Sequence, residues 1–299
     1  MAIDIDKSES GFKDFSLKRN PTSPRTLFGL VMSGIAGLFT VLAIIPLIII
    51  LTYLLTKGIS SLSPAVFTEL PPPPMVEGGG FGNAIIGTII MVGIGALISV
   101  PIGVMAAIYL SEFNEGKAAE WIRFATNVLS GVPSIIVGVF AYSAVVLTTK
   151  TYSAWAGGFA LSILMLPIIV RTTDESLKLV PQEVRQASVG IGANQYQTVL
   201  QIVLPAALPA IITGVTLSIA RAAGETAPLL FTALFTQYWP NWDNGLAEPT
   251  ASLAVLVYNF AIVPFKNQQD LAWGAAFILV LLVLVTSIIS RVATAKRTY

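Results

Sequence analysis

The 299-residue chain contains no cysteine and no histidine. The first absence removes disulfides, thiolate metal sites and thiol nucleophiles. The second removes the commonest metal ligand, any serine–histidine couple and the side chain that titrates nearest neutrality. Charge is scarce as well: 11% of residues are Asp, Glu, Lys or Arg, against roughly a quarter in a soluble domain. The net charge of +1 gives no reason to expect a nucleic-acid partner. No G-x-x-x-x-G-K-[ST] phosphate loop occurs, so the chain does not hydrolyse ATP by that chemistry.

What is abundant is apolar surface. Hydrophobic residues make up 55% of the chain, more than one soluble core of this size could bury. Six stretches are long enough to cross ~30 Å of hydrocarbon as helices. They are Leu27–Leu55, Asn83–Leu110, Ile122–Leu147, Tyr152–Val170, Ala207–Phe235 and Leu271–Ile289. The fold class is therefore an all-α integral membrane protein with six transmembrane helices over residues 27–292. Residues 1–26 are polar and mixed in charge, and read as a flexible arm. An interfacial helix on Phe12, Phe15 and Leu17 is the alternative there. Residues 293–299 form a short tail.

Orientation follows from the cations. Thirteen of the seventeen lysines and arginines fall in the arm, the connections after spans two and four, and the tail. Lys57, Lys150 and Lys266 lie on the other side. The positive-inside rule puts both termini in the cytoplasm of a cell inner (plasma) membrane protein.

Between spans one and two, Pro71–Pro74 forbids a continuous helix, and GGGFGN supplies turn glycines. A dinucleotide-binding reading of Gly80-Phe81-Gly82 fails, because Ile85 stands where the third glycine belongs. Spans two to four contain Pro101, Pro133 and Pro167, each permitting a bend. Gly131, Ser134 and Gly138 allow close helix contact near the second of these.

Residues 171–205 (RTTDESLKLVPQEVRQASVGIGANQYQTVLQIVLP) form a long, structured cytoplasmic connection. Pro181 marks a helix start with Glu183 in its first turn, where negative charge is favoured. Val184, Ala187, Val189 and Ile191 supply apolar contacts, and Gly190 and Gly192 interrupt the helix. A second helix starts near Asn194, with Tyr196, Val199, Leu200 and Val203 on one side. The pattern predicts a helix–turn–helix that docks in a partner's groove.

This connection resembles the cytoplasmic signature of ABC importer permeases: E-A-A, three residues, G, nine residues, I-x-L-P. Here Gln186-Ala187-Ser188, Gly192 and Ile202-Val203-Leu204-Pro205 keep every interval, with Gln and Ser replacing the first and third letters. RTTDESLKLVP, ARAAGETAPLLFTAL, LSGVPSIIVGVFAYS and GGGFGNAIIGT are together similar to the A-type permeases of high-affinity phosphate importers, over about residues 75–290. The resemblance implies a type I importer permease core. It also implies that the 171–205 segment couples to a separate ATPase dimer, which uses ATP and Mg while this chain binds no cofactor. The implied partners are a second, C-type permease and a periplasmic phosphate-binding protein. The implied activity is ATP-driven phosphate import by alternating access, with no catalytic residue in this chain. Permeases for molybdate, sulfate or an amino acid share the loop signature, and a secondary anion transporter is a more distant alternative. A membrane enzyme would need a serine–lysine or carboxylate arrangement, for which no lysine or second acidic residue is placed.

Arg221 and Glu225 interrupt the apolar run SIARAAGETAPLLFTALF. At ~1.5 Å per residue Arg221 lies ~24 Å from Pro205, near mid-bilayer, where a charge is costly and is expected to face protein or water. Glu225 falls one turn on, on the same face. The pair either fixes helix packing or offers a guanidinium to a passing anion. The same spacing recurs at Arg171 and Glu175, at the inner end of span four, where Arg171 is either an anchor or a second station. By resemblance these four positions belong to the phosphate pathway.

Overall fold

The computed structural model describes residues 23–113 and 116–295; most of the 1–26 arm and the end of the 293–299 tail lie outside them. Every regular element among the described residues is helical. The chain divides into two units, residues 1–53 and 54–299. The described structure of the first is the body of helix α1 (Pro24–Ser60), apolar on every side and exposed along its length. A helix with no polar face belongs in lipid.

The second unit holds α2 (Ala65–Thr68), α3 (Gly82–Phe113), α4 (Lys117–Gly131), α5 (Ser134–Thr149) and α6 (Ala154–Lys178). It continues through α7 (Gln182–Gly190), α8 (Gln195–Ala223), α9 (Ala227–Thr232), α10 (Leu253–Ala261) and α11 (Lys266–Ala295). Among the described residues, five helices are long and apolar enough to cross a membrane, and α4 with α5 makes a sixth, broken span.

The core is a parallel α3–α6 pair, in which Met91 meets Gly157 and Gly103 meets Ile169, with α8 packed on α6. Met91 and Ile94 meet Leu161, Met165 and Ile169 in one buried cluster. The pair closes tightly because it presents glycines: a Cβ on Gly158 would collide with Ile94, and one on Gly103 would meet Ile169. Apolar attraction between helices is absent in lipid, so close backbone approach is what holds such pairs. A second cluster joins Phe81, just before α3, and Ala84 of α3 to Leu253, Leu256 and Phe260 of α10 and Ala275 of α11. The α10 segment has nine residues, too short to be counted as a span from sequence.

The span bounds differ from the sequence expectation in three places. Ile122–Leu147 is two helices bent by 106° at Val132–Pro133, both in extended conformation. Proline biases its predecessor away from helix, and here Gly131 and the bend yield to it. Pro101 and Pro167, by contrast, sit inside unbroken helices. Ala207–Phe235 stops at Ala223, breaks over Gly224–Thr226 and resumes as the one-turn α9. The third difference is the 171–205 connection, most of which is helix: α6 continues to Lys178 and α8 begins at Gln195. Polar residues on a helix that leaves the membrane are invisible to a hydropathy count, although the helix itself continues.

The GGGFGN turn is close-packed. Gly78 and Gly79 take positive φ (+85° and +77°), and a Cβ on Gly80 or Gly82 would collide with carbonyl oxygens of α2. A Cβ on Gly87 would likewise strike the Ala251 carbonyl oxygen, whereas Gly93 on the same helix has open space around it. Gly87→Ala is therefore expected to lower the unfolding temperature of the detergent-solubilised chain by several degrees, and Gly93→Ala to leave it within one or two.

Candidate functional site

The residues singled out by sequence gather on two features, the α6–α7–α8 turn and the surface of α6 and α8 above it. Pro181 has an extended backbone (φ −59°, ψ 145°) and opens α7, with Glu183 in the first turn. At the other end Gly192 adopts φ +91°. Its N–H donates to the Val189 carbonyl (2.9 Å) and the Ala193 N–H donates to the Ser188 carbonyl (3.2 Å). These paired bonds are a Schellman cap, which needs a left-handed residue. Nothing lies within 4 Å of a Cβ built on Gly192, so the glycine is there for conformation and not for space. Asn194 then starts α8 with a reciprocal cap: its Oδ1 accepts from Gln197 N–H and the Gln197 Oε1 accepts from Asn194 N–H, both 2.9 Å.

The two departures from the E-A-A signature have different settings. Gln186 and Ala187 are exposed. Ser188 is buried, and its hydroxyl bonds the Thr198 hydroxyl at 2.8 Å, stitching α7 to α8. Ile202 is half-buried, and Leu204 packs on Leu177, Val180, Val203 and Ala207. Pro205 does not end a loop; it lies within continuous helix, directly after Val199–Val203, where the helix widens to i→i+5 pitch. A wider turn moves aside the carbonyl that a proline ring would otherwise strike. The outer surface of the turn is apolar: Leu179, Val189, Tyr196 and Leu200 are exposed, and Ile191 is 85% exposed.

Sequence reasoning missed how this turn is fastened. Arg185 of α7 forks onto Glu112 of α3 (Nη2–Oε1 2.7 Å, Nε–Oε2 3.3 Å), with side chains 17% and 8% exposed. Its Nη1 also donates to the Val180 carbonyl and its Nη2 to that of Leu177. Gln195 Nε2 donates to the Glu112 carbonyl at 2.6 Å, and the Phe113 and Tyr196 rings lie 5.0 Å apart. Nearby, Asp174 Oδ2 accepts from Arg123 (3.2 Å) and Lys178 (2.6 Å). A charged residue in a sparsely charged chain was the one available signal; a partner 73 residues away has no local pattern to reveal it.

Arg171 and Glu175 pair at 3.1 Å on the surface of α6. They border a cavity of about 250 Å3 with Arg123, Asp174 and Lys178. Arg221 and Glu225 approach to 3.6 Å, with side chains 65% and 17% exposed. Glu225 is not one helical turn on, as sequence implied, because α8 has ended; it reaches back from the break. The next residue after Arg171, Thr172, lies against Gly214 of α8. Arg221 is seven residues beyond Gly214, about 10 Å of rise. The two arginines thus occupy neighbouring helices at adjacent levels. Among the described residues, no group of three or more acidic side chains is placed to hold a metal ion.

Residues 99–297 match the family described as binding-protein-dependent transport system inner membrane component. The chain belongs to that family of multi-pass membrane permeases. More narrowly, it is 44% identical over 252 residues to a Yersinia pestis protein named phosphate transport system permease protein PstA, covering 84% of each chain. A Haemophilus influenzae protein of the same name is 44% identical, over 87% of this chain and 92% of that one. A Mycobacterium tuberculosis relative, phosphate transport system permease protein PstA 1, is 35% identical over 92% of this chain and 93% of that one. In fold, the chain is similar to a bacterial alginate ABC transporter (TM-score 0.63, 13% identity, 91% of this chain and 96% of that one). It is also similar to the MetNI methionine ABC transporter (TM-score 0.59, 18% identity, 72% and 95%).

A side chain at position 192 must pay the left-handed penalty, about 1–2 kcal/mol. Gly192→Val is expected to speed amide exchange across 184–190 by about tenfold, while Gly192→Asn, which tolerates that conformation, stays near wild type.

Proposed function

We propose that this chain is a permease subunit of an ATP-driven phosphate importer, spanning the inner membrane with both termini and α7 in the cytoplasm. The thirteen-to-three distribution of lysine and arginine supports that orientation. Phosphate as cargo is supported by the names of relatives 44% identical over most of the chain. The observation that carries the mechanism is the two-thirds-exposed guanidinium of Arg221, at the break in α8. It ends an exposed stripe of mostly small side chains, Ala206, Ala210, Thr213 and Leu217, at helical spacing. That face of α8 lines the pathway, opposite a second, C-type permease. Arg221 and, about 10 Å below it, Arg171 offer N–H donors to the passing anion, and Glu225 and Glu175 hold them when none is present. Contacts this loose suit a conduit, because tight binding stalls release.

Energy comes from a separate ATPase dimer that consumes ATP and Mg, gripped at the apolar knob around Ile191. A periplasmic phosphate-binding protein delivers cargo to the opposite side. ATPase closure pulls the coupling segments together and opens the permease pair outward.

Complexes reconstituted in liposomes with Arg221→Gln are expected to assemble normally and to lose labelled-phosphate uptake by about tenfold or more, the scale of one hydrogen bond to a charged group. Arg221→Lys should fall between. Wild-type uptake of labelled sulfate or molybdate in preference to phosphate would instead assign the cargo to another oxyanion.

A further inference from the structure

We infer that the buried Arg185–Glu112 fork is the joint that gears α7 to α3, and that α3 carries the movement of α7 to the opposite face. The inference rests on α7 being the ATPase contact proposed above.

The geometry of the fork is that of a fixed joint. One guanidinium makes four hydrogen bonds, to Glu112 of α3 and to two carbonyls at the end of α6. Bidentate charge-assisted bonds fix orientation as well as distance. Both side chains are largely buried, and a buried ion pair contributes little net stability over apolar packing, so its retention points to geometry. Glu112 lies in Tyr109–Phe113, where the last turn of α3 widens to i→i+5 pitch, and the facing start of α8 widens at Val199–Val203. Such turns sit frequently at functional places in helices, and here they flank the fork. Gln195 and Tyr196 add a second tie to Glu112 and Phe113.

The far end of α3 is tied down too. The buried Asn83 donates from Nδ2 to the carbonyls of Thr236 and Tyr238, both at 3.1 Å. Thr88 Oγ1 accepts the Leu253 N–H of α10 at 2.8 Å. Between these anchors runs a helix of 32 residues, about 48 Å long. A rod fastened at both ends transmits a push; one loosened at Glu112 does not. Arg185 is thus a positioning residue: it touches no cargo, and it sets whether ATPase movement reaches the span.

The test uses the full complex in liposomes, with Glu112→Gln, which keeps shape and acceptor oxygen but not charge, and Arg185→Lys, which keeps charge but not the fork. ATP hydrolysis is expected to persist per assembled complex while phosphate moved per ATP falls about tenfold, with the double variant no worse than the singles. An unchanged phosphate-to-ATP ratio in both single variants, or losses that multiply in the double, would overturn the joint. Should Arg185→Lys fail to assemble, Glu112→Gln decides. A second reading does not depend on the cargo. The chain lacks cysteine, so spin labels at Glu183→Cys and Ile102→Cys report α7 against α3. Their separation should stay constant through the ATP cycle and change with ATP in the Glu112→Gln background. A separation that varies with ATP in the wild-type background refutes the joint, whereas a wild-type complex that moves no phosphate refutes the cargo assignment alone.

Discussion

In hydrocarbon every backbone N–H and C=O must find a partner within the protein, so a break in a spanning helix survives only where other protein covers it. Two such breaks lie among the described residues, at Val132–Pro133 and at Gly224–Thr226. They are covered by each other's helices. Gly138 of α5 sits against Pro228 and Phe231 of α9, so closely that a Cβ would press on the Pro228 backbone. The loose ends at the second break are also taken up locally: the Gly224 N–H donates to the Arg221 carbonyl and the Glu225 N–H to that of Ala222. The Thr232 carbonyl at the end of α9 accepts from Ser153, at the start of α6. Mutual coverage lets a polar, irregular stretch exist within the apolar part of the chain. Arg221 and Glu225 stand on that stretch.

The same constraint explains which parts of the fold could be read from the chain alone. Spanning helices declare themselves because they must be long and apolar, and four of the six expected stretches lie on single long helices, while Ala207–Phe235 lies on one only as far as Ala223. Their ends do not declare themselves, because a helix leaving the membrane changes composition without changing conformation; Arg171–Lys178 is helix for that reason. Pro133 breaks its span while the buried Pro167 does not: Pro133 closely follows Gly131, whereas Pro167 lies on the α6 face packed in the core; Pro101, exposed and in unbroken helix, has no such explanation. The α10 helix escaped notice because nine buried residues need no membrane-length pattern.

Site residues follow a similar division. Gly192 could be located by interval because its reason is local, a left-handed cap four residues past a buried serine. Ser188 looked like a loss of fit to the signature, yet its hydroxyl has a buried partner in Thr198, which alanine could not supply. The Arg185–Glu112 fork had no such local reason; only the folded α3–α6–α8 bundle brings those two side chains together.

Arginine therefore stands in two opposite settings here, and burial with bond count distinguishes them. Arg185 has its donors engaged by four acceptors in a largely buried setting, and freeing it would take from the Glu112 carboxylate its charged partner. Arg221 meets one carboxylate at 3.6 Å, longer than the ~2.7–2.9 Å of a strong charge-assisted bond, and keeps most of its surface open. Arg171 is similarly exposed, and pairs of that kind contribute only about 0–1 kcal/mol. So weak a pairing leaves the guanidinium open to another acceptor, whereas Arg185 is held by four acceptors at once. The conduit proposed above, driven from outside itself, would need both: guanidinium groups that exchange partners along the path, and one that never does, so that force applied at α7 would not be lost before it reached them.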